Sequence, residues 1–225
     1  MSKRKKAKAR KEAALLLRAQ FSEHSQSLPA VSERELALYE HHHELLQRWS
    51  ARMNLVSART LPNAYAVHYA DSIHICDIAA PHCGSIPAFD IGTGAGFPGI
   101  VFAIRNPNNA ITLFEKSNKK CLFLREVISE LGLGNVRLEQ ELPQHLYRGV
   151  FFARATFPPA EFFQIFRGRG VTGSYLVVNT GGKSEPVNAP HDFVEKENRL
   201  YVLPEDFGRR RVQIFGYVPR ETKTN

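Results

Sequence analysis

Apolar and polar positions follow two different rhythms along this chain, and the change of rhythm divides it. From Ser32 the positions Leu36, Tyr39, His43, Leu46 and Trp49 recur at helical spacing. Ser32 with Glu35 three residues on makes a capping box, so a helix is predicted to begin there and to end near Arg52. A second helix is predicted from about Pro62, carrying Tyr65, His68, Tyr69, Ile73 and Cys76, with Pro81 and Gly84 stopping it. Short apolar runs then alternate with helical segments: Ile86 to Ile91, Pro98 to Arg105, Ala110 to Glu115, Lys119 to Leu131, and Val136 to Glu139. Tyr175 to Asn179, Arg199 to Leu203 and Arg211 to Val218 read as further strands, and the loops of the Gly-rich and polar region from Gly168 to Pro190 are not placed by the pattern. Such alternation predicts an α/β fold, a mostly parallel sheet with helices on both faces. The segments expected are a basic tail over 1–31, a helical appendage over 32–84 and an α/β core over 85–225.

Composition adds little to this picture, and charge adds more. The hydrophobic share of 43% and the 15 Phe residues suffice for one core in 225 residues. The three cysteines, Cys76, Cys83 and Cys121, fit no zinc or disulfide framework, which suits a reducing compartment. No apolar run is long enough to cross a bilayer and no signal segment is evident, so a cytoplasmic protein without membrane contact is expected, with a monomer favoured. The net charge of +8 is concentrated: residues 1–18 hold eight basic residues (Lys3, Arg4, Lys5, Lys6, Lys8, Arg10, Lys11 and Arg18) against Glu12 alone. That block is expected to be disordered or frayed, and either solubilises the chain or meets a phosphate backbone.

The candidate chemistry lies at Asp90-Ile91-Gly92-Thr93-Gly94-Ala95-Gly96-Phe97-Pro98-Gly99. An acid ends the first strand of the core, alternating glycines let the backbone approach a ligand, and proline marks the start of a helix. The stretch also satisfies the dinucleotide pattern G-x-G-x-x-G, with Glu115 placed to take ribose hydroxyls, so spacing alone does not choose a cofactor. Asp90 favours S-adenosylmethionine, because a carboxylate welcomes its cationic amino-acid end and repels a pyrophosphate.

Further motifs flank this turn: Trp49 to Val56, His68-Tyr69-Ala70-Asp71-Ser72, Asn118-Lys119-Lys120 with Phe123-Leu124-Arg125, and Ala153-Arg154-Ala155. With these the chain resembles the RsmG (GidB) family of 16S ribosomal RNA guanine-N7 methyltransferases. The resemblance implies a Rossmann-like class I methyltransferase fold with a seven-stranded sheet and S-adenosylmethionine as cofactor. It implies a cofactor site at Asp90, Gly92, Thr93, Gly94, Gly96, Phe97, Glu115 and Leu142. It implies active-site roles for Asn54, His68, Asp71 and Arg154, and contacts to 16S RNA or the small ribosomal subunit at Ser72, Lys119, Lys120 and Arg125. The chain departs from the family at Glu141-Leu142-Pro143-Gln144, where Gly-Arg, a small residue and Glu are usual. It departs again at Tyr147 to Val150, which lacks the usual Asp, and at Val178 to Lys183, where Leu-Lys-Gly is usual. Lys183 could stand in for that lysine.

Guanine N7 carries an in-plane lone pair and is unprotonated at neutral pH, so its methylation needs positioning more than a base, on a loop or unstacked nucleotide. Arg154 then contacts the guanine or a neighbouring phosphate. His68 is equally read as a packed histidine held by Asp71. His41-His42-His43 and Cys76, His82 and Cys83 are not expected to bind metal, since successive helical residues diverge. Arg209 to Arg211 read either as a solvated turn or as an RNA contact. The competing functions are a non-catalytic RNA- or ribosome-binding protein on this fold, and a nicotinamide-dependent oxidoreductase.

Overall fold

The computed structural model describes residues 12, 15–23, 28–154, 156–167, 169–181, 185–204 and 207–219. Residues 15–23 form helix α1, and α2 spans Glu33–Ser50 with the reciprocal Ser32–Glu35 capping box in place. A π-helix over Tyr65–Ala70 runs directly into α3, Asp71–Cys83. Pro81 does not stop this helix. A proline forgoes one backbone hydrogen bond in the last turn, and α3 continues to Cys83, where Gly84 turns the chain at φ 47°.

The core follows as β1 (Ala88–Ile91), α4 (Gly99–Arg105), β2 (Ile111–Phe114), α5 (Asn118–Glu130), β3 (Val136–Glu139), β4 (Val150–Ala153), α6 (Pro159–Phe166), β5 (Tyr175–Gly181), β6 (Phe193–Val202) and β7 (Arg209–Tyr217). The strands form one seven-stranded sheet in the order β3-β2-β1-β4-β5-β7-β6. The first five pair in parallel, and β7 is antiparallel to both of its neighbours. Central β1 and β4 are buried on both faces, whereas edge strand β3 alternates half-buried with exposed.

Alternating side chains sort into two cores. Ala88, Val150, Phe152 and Val177 face α2 to α5, while Phe89, Phe151, Leu176 and Val178 face α6. Much of the phenylalanine lies on that second face, where Phe162, Phe163 and Phe166 of α6 meet Phe193 and Phe215.

Three elements depart from the sequence pattern. Strand β6 begins at Phe193, six residues before the apolar run suggested, because its charged middle lies on the solvated sheet edge. The four-residue β4 and eight-residue α6 are too short to show a period. In the basic segment, residues 15–23 are ordered rather than frayed: Leu17 and Phe21 are buried, Phe21 packing on Tyr39, Tyr65 and Tyr69. Arg18 there pairs with Glu33 and Glu40 instead of meeting solvent freely. The basic positions 3 to 11, and Lys183, lie outside the described residues.

Candidate functional site

The chain runs outward from β1 through β2 to β3, then returns to β4 on the other side of β1. Ligands of open α/β sheets bind outside the carboxyl ends of the strands at such a reversal. A cleft of about 1050 Å³ opens there, walled by Ile91 and Gly92 after β1, Phe114 and Glu115 after β2, Gln140 to Leu142 after β3, and Arg154 after β4.

The glycine turn is shaped by its backbone. Gly92, Gly94 and Gly96 all have positive φ (73°, 59° and 90°). A Cβ on Gly92 would lie 2.3 Å from the Thr156 methyl, so the turn packs flush against the residue two after Arg154. A Cβ on Gly94 would meet nothing nearer than the Gly92 carbonyl at 3.9 Å, and the Gly94 N–H donates to Glu115 Oε2 at 3.1 Å. The other Glu115 oxygen accepts from the Ser117 amide, which fixes the carboxylate at the cleft wall. Each carboxylate oxygen keeps a further acceptor position for a hydroxyl.

Asp90 is fully buried at the end of β1. Oδ2 accepts from the Gly99 amide at 2.9 Å, capping α4, and Oδ1 has no hydrogen-bond partner among the described residues. Burial pushes its carboxyl up to about 6, against the pull of the Thr93 hydroxyl, the Gly99 amide and the Arg154 charge. The Thr93 hydroxyl is likewise buried without a partner there. The Asp90 carboxylate and the neighbouring Thr93 hydroxyl, which favours its charged form, together suit a ligand with a cationic, hydrogen-bonding end. Gly96 is buried, and a Cβ there would strike Ile100 of α4. Phe97 does not wall the cleft but lies beneath it, stacked on His68 at 5.1 Å and edge-on to Tyr69, with the Arg154 guanidinium 5.4 Å from its ring centre.

Over the Phe97 ring and at the cleft wall, Arg154 is held by three partners. Its Nη1 donates to the Val67 carbonyl at 3.1 Å and to Asp71 Oδ2 at 3.0 Å, and Nη2 donates to His68 Nδ1 at 3.1 Å. Val67 and His68 both lie on the π-helix, a feature frequent at functional sites. Because a guanidinium can only donate, His68 Nδ1 accepts, and Nε2 carries the ring proton and donates to Thr60 Oγ1. Burial and the neighbouring Arg154 charge lower His68 to about 3, so the ring stays neutral. Asp71 is buried as well; its second oxygen accepts from the Tyr201 hydroxyl at 2.6 Å, and Tyr201 accepts from Asn179.

His68, Asp71 and Arg154 are thus brought together, whereas Asn54 is exposed on the loop after α2, outside their hydrogen bonds. Leu142 is half-buried and walls the cleft. Lys120 lies at the cleft 4.0 Å from Glu115, with Lys119 and Arg125 exposed on the same helix, α5. Ser72 is completely buried, out of reach of any RNA, because the first turn of α3 carries it into the core. Asn179 lies in the Val178 to Lys183 segment noted as a departure from the family, but no role was expected of it. Tyr201, Thr60 and Thr156 were not singled out by the sequence pattern, and their places follow from sheet register and loop packing.

The histidine run resolves differently from a metal site. His42 is fully buried, its Nε2 bonded to the Ala95 carbonyl of the glycine turn and its Nδ1 to the Tyr69 hydroxyl. Among the described residues no group of three or more His, Cys, Asp or Glu is placed to hold a metal, and no helix is long and apolar enough to cross a membrane. Burial lowers His42 to about 3 and His43 to about 4. In the unfolded chain His42, His43 and the half-buried His68 charge near 6.5, so unfolding takes up protons between pH 6.5 and 4. Asp90 opposes them, since its raised value favours the native state below about 6. Three groups outweigh one, and stability should fall by roughly 2 kcal/mol per pH unit from pH 6.5 to 5. Urea midpoints measured across that range check this; a flat profile would show that these rings are not buried neutral.

Known proteins match this arrangement. The family model for GidB, rRNA small subunit methyltransferase G, matches residues 35–165. Ribosomal RNA small subunit methyltransferase G of Halorhodospira halophila is 35% identical over 172 residues, covering 74% of this chain and 80% of that protein. The corresponding protein of Geobacillus kaustophilus is 35% identical over 151 residues, 66% of this chain but 59% of its own length. Among solved structures, a mutant of MtNAS in complex with S-adenosylmethionine superposes with a TM-score of 0.57 at 16% identity, covering 84% of this chain and 80% of that one. TrmN of Thermus thermophilus gives 0.50 at 15% identity over 68% of this chain and 50% of its own. These two likenesses concern the fold, a seven-stranded Rossmann-like sheet. The chain belongs to the GidB family, the rRNA small subunit methyltransferase G family.

Proposed function

We propose that this chain transfers a methyl group from S-adenosylmethionine to N7 of a guanine in a loop of 16S ribosomal RNA, in the cytoplasm. The observation that carries this reading is an arginine fork at the cleft whose neighbouring histidine and aspartate are already fully engaged. Three of the five Arg154 N–H groups point inward to Val67, Asp71 and His68, which leaves Nε–H and one Nη2–H for the cleft. Neither ring nitrogen of His68 is free, and both Asp71 oxygens are engaged. A reaction that must first remove a proton, such as methylation of a hydroxyl, finds no free acceptor among the partners of Arg154. Guanine N7 needs none, because its lone pair lies in the base plane.

S-adenosylmethionine, when held there, would supply an electrophilic methyl group, its sulfur keeping the bonding electrons while N7 gained the carbon and one positive charge. The protein's work is binding and orientation. Asp90 and Thr93 would meet the amino-acid end, Glu115 the ribose hydroxyls, and Leu142 the adenine. The Arg154 fork would hold guanine O6 or an adjacent phosphate, leaving N7 unobstructed for an in-line approach. Lys120 at the cleft, with Lys119 and Arg125 exposed on the same helix, would suit the flanking phosphates. The nicotinamide reading sits poorly with the buried Asp90 carboxylate behind the turn.

Incubating the protein with small ribosomal subunits and methyl-labelled donor should place the label on a single guanine of 16S RNA. Borohydride and aniline treatment should then break the strand at that nucleotide, as it does at 7-methylguanosine. Absence of label, with RNA binding retained, would favour a non-catalytic binding protein.

A further inference from the structure

The Arg154 clamp depends on a residue far from every motif at the cleft. Asp71 is nearly excluded from solvent, and it faces two donors: Arg154 after the central strand β4 and Tyr201 on the edge strand β6. A carboxylate only accepts, so the 2.6 Å contact is donated by the Tyr201 hydroxyl, which in turn accepts from Asn179 Nδ2 at 2.9 Å. The Tyr201 ring is fixed by stacking on His74, with centroids 4.5 Å apart. Burial, and then the Asp71 charge, raise the phenol far above its usual range, so it stays a donor at any working pH. Without this hydroxyl, Asp71 Oδ1 would be a buried acceptor lacking a donor. The carboxylate would then be drawn to the nearest remaining cation, Arg154, pulling the fork inward.

We infer that Tyr201, oriented by Asn179, is a positioning residue: it anchors Asp71, and through Asp71 it sets where the Arg154 fork stands in the cleft. This rests on the methyl-transfer reading for what the fork does, but not for where it is held. Tyr201→Phe keeps the ring on His74 and removes one oxygen.

Two measurements on the full chain decide it. In single-turnover transfer to small subunits, Tyr201→Phe should be slowed about tenfold, with S-adenosylmethionine affinity unchanged. In an Arg154→Lys background the same substitution should slow the reaction no further, because the fork it positions is gone. Wild-type speed in Tyr201→Phe, or a loss that persists undiminished beside Arg154→Lys, would overturn the inference. Independently of activity, Arg154 should react with phenylglyoxal at a rate several-fold different in Tyr201→Phe, slower because the fork is drawn inward, as read by peptide mass spectrometry. Equal reactivity would again overturn it. If the wild type transfers no methyl, the proposed function fails, and the phenylglyoxal comparison still decides the role of Tyr201. Should Tyr201→Phe not fold, Asn179→Ala removes only the orienting donor and should show the same coupling with a smaller effect, about threefold; additivity there would count against the inference.

Discussion

Replacing Asp90 by Asn should make the protein more stable and its cofactor site much weaker. The carboxylate is fully buried, with one oxygen on the Gly99 amide and the other without a partner among the described residues. Its rise from 3.8 to about 6 means that holding it ionised at pH 7 costs roughly 3 kcal/mol. Asparagine keeps an acceptor for Gly99 and removes the charge, but its amide nitrogen inherits the unpartnered position. The net gain should therefore be about 1 to 2 kcal/mol, read from urea unfolding at pH 7. Affinity for S-adenosylmethionine should fall about tenfold or more, since a hydrogen bond between opposite charges is lost in a dry site. Such a trade marks a residue kept for function at the expense of stability. If Asp90→Asn binds the cofactor as the wild type does, the carboxylate serves only to cap α4.

Arg154→Ala should lower methyl transfer about a hundredfold to a thousandfold, leaving cofactor affinity within about twofold. The effect is large because the guanidinium is pre-set by Val67, Asp71 and His68 before any substrate arrives. Arg154→Lys should recover little, because an ammonium has no planar fork and cannot serve three inward partners and a substrate together. Single-turnover rates with saturating donor, set beside calorimetric cofactor titrations, separate the two effects. Loss of cofactor binding in step with the rate would place Arg154 in the cofactor site instead.

What could be read in the sequence follows from the range over which each signal acts. The glycine turn, the Ser32 cap and the β1 to β3 alternation are local, and the structure has them within a residue or two of their expected places. Asp90 was legible because its position relative to Gly92 and Gly94 carries the chemistry. Its second task, capping α4 at Gly99, was not, because that depends on how the turn folds back. The contact between Tyr201 and Asp71 spans 130 residues, and nothing in the period of a charged edge strand announces it. His42 offered only a run of three histidines, and which of the three turns inward is settled by the packing of α2 against the glycine turn. Ser72 misled for the same reason: adjacency to Asp71 in sequence says nothing about which way a helical neighbour points.

Calorimetric titration of the protein with S-adenosylmethionine and with NADH, at pH 7.5 and pH 5 and well below the unfolding transition, tests most directly whether the cleft behind Gly92 and Gly94 is built for a cationic methyl donor. S-adenosylmethionine should bind at pH 7.5 and about tenfold more weakly at pH 5, where Asp90 has largely taken up its proton, while NADH should not bind. Tight NADH binding without affinity for S-adenosylmethionine would contradict the assignment.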